Sequence, residues 1–388
     1  LTTLSRRSFF DLSPNALSET LARARALGQH TLDLTESNPT RAGISYDESS
    51  ILRAIASPES LRYEPAPFGL PSARAAVARA LSARGRAVDA ARVVLTASTS
   101  EAYAFLFKLL LDPGEEVLVP RPSYPLFDHL ARLESVRPVP YRLAYDGAWH
   151  VDFPSVLAAI SPRTRAVVVV HPNNPTGSRL TREELDRLAA LGLPIVSDEV
   201  FAPYSLGDGG GHAVSALDAK DAELVFSLGG LSKAAALPQM KLAWLAVAGD
   251  QKLVDAALAR LEVIADAFLS VGTPVQHAAA ALLASRGTAE SAIVRRIRAN
   301  LAHLGSAVAG SPVSLLNVEA GWYAILRLPR TRSEEGWAIA FVEQDGVLVH
   351  PGHFFDFEDE AFAVVSLLTP EDTLKEGARR IVERVTLG

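Results

Sequence analysis

Lys233 is the one amine in the run Ser227-Leu-Gly-Gly-Leu-Ser-Lys233-Ala-Ala-Ala-Leu-Pro, where its neighbours are small or apolar. A lysine so placed is costly to desolvate, gives up its proton more readily and can attack a carbonyl to form a Schiff base. Two segments precede it. Val167-Val-Val-Val-His171-Pro-Asn-Asn174-Pro-Thr-Gly177 is a buried-strand run ending in a turn, and Leu193-Pro-Ile-Val-Ser-Asp198-Glu-Val-Phe201 is a short apolar strand ending in a carboxylate. In open α/β sheets ligands bind beyond the carboxyl ends of the strands. An amide, a carboxylate and a lysine are therefore expected at one sheet edge.

Seven segments of the central chain read as strands: Val93–Thr96, Glu116–Val119, Val136–Pro140, Ala166–Val170, Pro194–Val196, Leu224–Ser227 and Leu242–Val247. Most are continuous apolar runs, as expected where helices cover both sheet faces. Their alternation with helix-like segments predicts an α/β domain built on a mostly parallel doubly wound sheet. Thr181-Arg-Glu-Glu184 and Ser98-Thr-Ser-Glu101 have the capping-box pattern of helix starts. Residues 1–45 read as an arm, with Leu17, Leu21, Ala24 and Leu27 at helical spacing before a short strand at Thr31–Thr35. Beyond a long helix near 287–309, strands near 313–318, 322–328 and 363–368 and a closing helix from Glu371 predict a smaller α+β domain. The divisions are 1–45 for the arm packing with the small domain, 46–285 for the large domain and 286–388 for the small C-terminal domain. The glycine-dense Gly207–Gly211 stretch joins no strand to a helix and reads as a surface loop.

The ordered set Asn174, Asp198 and Lys233 resembles the aminotransferase branch (class I/II) of the fold-type I pyridoxal 5′-phosphate (PLP) enzymes, and the resemblance extends over nearly the whole chain. It implies a PLP-dependent transferase-like fold, with PLP as cofactor and Lys233 as its Schiff-base partner. Asp198 would face the pyridine nitrogen, where an ionised carboxylate favours the protonated ring. Asn174 would donate to the phenolate, and Tyr124, in Pro122-Ser-Tyr-Pro-Leu-Phe127, would stack on the ring, a core tyrosine being the alternative. Ser98, Thr99 and Ser100 match the phosphate-binding turn, where a helix N-terminus offers free N–H groups to an anion; capping by Ser98 can coexist with that role. Lys241 falls where the family has a phosphate-gripping arginine. Tyr63 matches a tyrosine that reaches the neighbouring subunit's phosphate, which implies a homodimer; a tyrosine buried under Phe68 is the alternative.

Three residues depart from the family pattern. Phe201, three residues after Asp198, replaces a tyrosine, leaving Asn174 as the sole phenolate donor. Lys241 supplies charge without the arginine fork. Val364, in Phe362-Ala-Val364-Val365-Ser366, stands where an arginine would hold the substrate α-carboxylate. Either Arg41 or Arg327 substitutes, or the amino substrate carries no carboxylate there. His350 and His353, in Val349-His-Pro-Gly-His-Phe354, fall where the family's Pro-Gly segment lines the site, and His171 reads as structural.

The implied activity is ping-pong transfer of an amino group from an amino donor to a 2-oxo acid. A PLP-dependent carbon–sulfur β-lyase and a non-catalytic PLP- or ligand-binding protein are the alternatives. The chain has 388 residues, net charge −6 and no cysteine. That balance argues against a nucleic-acid partner, and the absence of thiols excludes disulfides and thiolate metal sites. No apolar run approaches the roughly 20 residues needed to span a membrane. Ser5-Arg-Arg-Ser-Phe-Phe10 resembles the opening of a twin-arginine signal, but Asp11, Ser13, Asn15 and Glu19 replace the apolar stretch that must follow. The expected location is cytoplasmic.

Overall fold

The computed structural model describes residues 4–83, 85, 87–207, 214–359 and 361–388; most of the glycine-dense loop lies outside them. The large sheet contains β2 (Val93–Thr96), β3 (Glu116–Arg121), β4 (Arg137–Tyr145), β5 (Trp149–Val151), β6 (Thr164–Val170), β7 (Ile195–Asp198), β8 (Leu224–Gly230) and β9 (Ala243–Gly249). A preceding two-residue strand, β1 (Leu32–Asp33), belongs to the arm. The spatial order is β2-β9-β8-β7-β6-β3-β4-β5. Neighbours from β8 to β4 run parallel, β9 is antiparallel to both β2 and β8, and β5 is antiparallel to β4. The expected α/β class and mostly parallel sheet are thus present. Along β6, Val168 and Val170 enter one apolar cluster while Val167 and Val169 enter another, so both faces are buried.

A second sheet, in the order β10-β11-β14-β13, is built from β10 (Ser314–Leu315), β11 (Tyr323–Arg327), β13 (His350–Pro351) and β14 (Phe362–Ser366). β12 (Val347–Leu348) pairs in parallel with β1. The arm's Leu17, Ala24 and Leu34 share one core with Trp337, Phe341 and Ile381. Leu34 is fully buried against Gly377, where an added Cβ would lie 2.7 Å from a Leu34 methyl. Burial of such a side chain contributes about 2 kcal/mol.

The capping box at Thr181 and Glu184 forms in full. At Ser98 only half forms. The Ser98 hydroxyl accepts the Glu101 N–H at 3.1 Å, but the Glu101 carboxylate turns to the Ala97 N–H at 2.7 Å and the Ser270 hydroxyl at 2.6 Å. Among the described residues no helix is long and apolar enough to cross a membrane.

Candidate active site

The parallel register sets Val170, Asp198 and Leu228 side by side, so β6, β7 and β8 end at one edge. Each then delivers one group. β6 feeds the Asn174 turn, Asp198 is the last residue of β7, and β8 leads into the short helix Leu231–Ala234 that carries Lys233. Gly229, just before that helix, is sterically required. A Cβ on Gly229 would lie 2.6 Å from the Trp244 indole nitrogen.

Burial depresses the Lys233 amine to about 8, with the Asp198 charge opposing the shift. Burial likewise raises Asp198 to about 6, against the pull of the Val200 N–H, the Tyr103 hydroxyl and Lys233. The Val200 N–H lies at 3.2 Å and the Tyr103 hydroxyl at 3.3 Å. Desolvation therefore outweighs pairing at both groups. The Lys233 Nζ lies 4.7 Å from the centroid of a Trp322 ring and 5.4 Å from that of Phe201. Its backbone is fixed from both sides: Tyr204 donates to the Lys233 carbonyl at 2.6 Å, and Tyr46 donates to the Ala236 carbonyl at 2.7 Å.

His171 holds the Asn174 turn as a structural residue. Its Nδ1 accepts the Leu180 N–H at 2.7 Å, which leaves Nε2 to donate to the Val214 carbonyl at 2.6 Å. Asn173 joins this turn to the neighbouring one, donating to the Pro122 carbonyl at 3.1 Å and accepting the Ser123 hydroxyl at 3.0 Å. Asn174 is buried and its Oδ1 has no hydrogen-bond partner. Tyr124, on the linked turn, is half-buried, and burial together with the nearby Asp198 charge pushes its hydroxyl to about 12. Ser98, Thr99 and Ser100 stand half-buried at the N-terminus of the helix Thr99–Leu110. That helix also carries Tyr103, so one rigid element joins the serine-threonine turn to Asp198.

Lys241 and Tyr63 lie at the surface of this protomer. Lys241 is exposed and left-handed, with φ 50° and ψ 48°. Tyr63 is 74% exposed rather than packed under Phe68. Phe201 is buried edge-on to Trp322. Val364 is fully buried in an apolar cluster with Ile325, Phe355 and Phe362, and His350 lies opposite it in the sheet. Arg41 and Arg327 are both exposed. His350 is lowered by burial and packs against Phe355, whereas His353 turns to Glu334, 3.2 Å away. Among the described residues no group of side chains could hold a metal ion.

Tyr103, Tyr204, Tyr46 and Asn173 are the positioning residues that sequence reasoning missed. Tyr103 carried a usable signal: it follows Thr99 by four residues, one helical turn, on a helix that begins at the expected cofactor edge.

The model of the class I and II aminotransferases matches residues 32–381. The glutamate–pyruvate aminotransferase AlaA of Escherichia coli is 30% identical over 274 residues, covering 69% of this chain and 67% of that protein. Among solved structures, an aspartate aminotransferase double mutant of Thermus thermophilus superposes with TM-score 0.82 at 25% identity, covering 99% of this chain and 100% of that one. The alanine aminotransferase of Pyrococcus furiosus superposes with TM-score 0.89 at 22% identity, covering both chains fully.

Proposed function

The chain belongs to the class I and II aminotransferase family and is an enzyme of the PLP-dependent aminotransferase class; from that premise we propose that Lys233 and Asp198 run a two-stage transfer of an amino group from an amino donor to a 2-oxo acid. Bound PLP would supply an electron sink for the substrate Cα–H bond and carry the amino group between the two stages. The residues present fit that group. A desolvated amine feels the charge of a buried carboxylate at adjacent strand ends, and the buried Asn174 side chain lies on the next turn.

Lys233 is the base and the acid of the proposal. A pKa near 8 leaves about a tenth of the amine neutral at pH 7, a usable fraction for accepting and returning a proton. Asp198, oriented by Tyr103 and the Val200 N–H, would keep a proton on the ring nitrogen. Asn174 would donate to the phenolate oxygen without help from Phe201, and Tyr124 would cover one ring face. Ser98, Thr99 and Ser100 would take the phosphate at the helix N-terminus, with Lys241 adding charge. Exposed Tyr63 would complete the site of a second copy, so the working unit is a homodimer. The shared core of Leu17, Ala24 and Leu34 with Trp337 and Ile381 supports an arm that travels with a small domain beginning near residue 286.

The observation that carries this reading is a desolvated Lys233 amine that feels the charge of the Asp198 carboxylate at adjacent strand ends. Borohydride treatment of the yellow protein, followed by peptide mapping, should place a pyridoxyl group on the Lys233 peptide. Incubation with a panel of amino acids should form one pyridoxamine 5′-phosphate per protomer. A label elsewhere refutes the role of Lys233. Release of pyruvate and ammonia from cystathionine, without pyridoxamine 5′-phosphate, refutes the transfer.

A further inference from the structure

Lys233 carries its amine into a corner made of aromatic rings. The Nζ lies 4.7 Å from the centroid of a Trp322 ring and 5.4 Å from that of Phe201, both within cation–π range. Among the described residues it makes no ion pair or hydrogen bond, although it feels the Asp198 charge. Phe201 and Trp322 are both buried.

The corner is held from several directions. Phe201 meets Trp322 edge-on at 5.4 Å, and Tyr204 meets it at 4.9 Å. Tyr204 is tied at both ends: its hydroxyl donates to the Lys233 carbonyl at 2.6 Å, and its own carbonyl accepts the Gly321 N–H at 2.8 Å. The Trp322 carbonyl accepts the Leu367 N–H at 2.7 Å, whereas its indole nitrogen has no acceptor among the described residues. Packing rather than a side-chain hydrogen bond therefore orients the indole. Phe201 and Tyr204 follow β7 and Trp322 immediately precedes β11, so the rings join the large sheet to the small one.

The proposed transfer releases Lys233 from the cofactor and then has it accept and return a proton. The freed amine needs a fixed place, and it spends part of the cycle as an ammonium. A carboxylate in contact would hold that ammonium too firmly for the proton to be returned easily. An aromatic face attracts the ammonium more weakly and leaves the neutral amine alone.

We propose that Phe201 and Trp322 are positioning residues that dock the Lys233 side chain while it is free of the cofactor, meeting its positive charge with ring faces rather than a counter-ion. This rests on the reading of Lys233 as the cofactor-bonding residue and deepens it. Phe201, which has no hydroxyl to offer the cofactor, acquires a task on the lysine side.

The sign of the effect follows. Ring faces favour the charged amine, whereas burial depresses it to about 8. The titratable groups around Lys233 are Asp198, the Tyr204 hydroxyl committed to the Lys233 carbonyl, the Tyr46 hydroxyl on the Ala236 carbonyl, and Tyr323 behind the Phe201 ring at 6.3 Å. Of these Asp198 alone is charged near pH 8. Replacing one ring by an aliphatic side chain should lower the Lys233 midpoint by roughly 0.7 units.

The test reads the amine without the cofactor. Trace acetylation of the cofactor-free protein with isotopically labelled acetic anhydride, across the neutral to alkaline range, titrates Lys233 through the mass of its peptide. Phe201→Leu and Trp322→Leu should each lower the midpoint by roughly 0.7 units, and Trp322→Phe by less, because indole is the stronger partner. Melting temperatures recorded alongside show that each variant is folded. A merely structural role moves the midpoint the other way, since a loosened core admits water and stabilises the ammonium. An unchanged or raised midpoint in Phe201→Leu overturns the proposal. Should Trp322→Leu fail to fold, Phe201→Leu and Trp322→Phe still decide it. If borohydride leaves no label on Lys233 in the holoprotein, the transfer reading fails by itself, and the titration still decides whether the rings hold the amine.

Discussion

Replacing Tyr103 by Phe isolates how Asp198 is held. The tyrosine is buried, and its hydroxyl donates to the Asp198 carboxylate at 3.3 Å. Its ring packs edge-on against Phe127 at 5.3 Å and beside Phe107 at 5.9 Å, contacts that phenylalanine keeps. A hydrogen bond to a charged group contributes about 1.5–3 kcal/mol at good geometry. A separation of 3.3 Å exceeds the usual range for O–H···O, so about 1 kcal/mol is the working figure. That corresponds to roughly 0.7 pKa units, carrying Asp198 upward from about 6. The carboxylate would then hold a cationic ring about fivefold less tightly. The assay is PLP dissociation by fluorescence, with the acid limb of the activity profile measured alongside. Tyr103→Phe should weaken PLP about fivefold and move that limb up by roughly 0.7 units, at nearly unchanged melting temperature. If both values stay within twofold of the parent while Asp198→Asn changes both, the positioning role assigned to Tyr103 is wrong.

The buried pair also predicts how the cofactor-free protein responds to pH. Asp198 is raised from 3.8 to about 6, so its contribution is present below 3.8 and lost as pH climbs through 6. Lys233 is lowered from 10.5 to about 8, so its contribution is present above 10.5 and lost as pH falls through 8. Each shift corresponds to at most about 3 kcal/mol, reduced by the attraction between the two groups; urea unfolding at pH 5, 7 and 9 should show the dip, and Asp198→Asn should remove its acid side. Gly177 and Gly192 share φ +67°, but only at Gly177 would a Cβ meet a wall, 2.5 Å from the Ala320 carbonyl oxygen. Gly177→Ala should therefore cost at least about 2 kcal/mol and Gly192→Ala about 1 kcal/mol in urea unfolding; equal costs would mean the close approach is easily relieved. Lys241→Arg restores a forked donor and should tighten PLP several-fold by fluorescence titration; an unchanged affinity would place that side chain away from the phosphate.

The candidate triple was legible because the strands that carry it are uninterrupted apolar runs with punctuation at their ends. Val167–Val170 before the Asn174 turn, and Pro194–Val196 before Asp198, needed no tertiary information to be read as buried strands. The antiparallel course of β9 was not legible, since Leu242–Val247 is apolar in either direction and direction is set by its connection. β5, β12 and β13 are two or three residues long and exist through their partners, which local pattern does not encode. Tyr103 hid in the apolar face of a helix, where a tyrosine reads as core. The half-formed cap at Ser98 has a similar origin: Ser270, distant in the chain, competes for the Glu101 carboxylate.

The two halves of the site are tuned by different means. On the large-domain side, desolvation sets both Asp198 and Lys233, and the groups that hold them in place are a tyrosine hydroxyl and backbone N–H and carbonyl groups rather than counter-charges. The small-domain face instead meets the site with the aromatic side chains of Trp322 and Tyr323. Tyr323 is hydrogen-bonded to Ser37 and feels the charge of Glu36, so the arm closes this face on the side opposite Arg327.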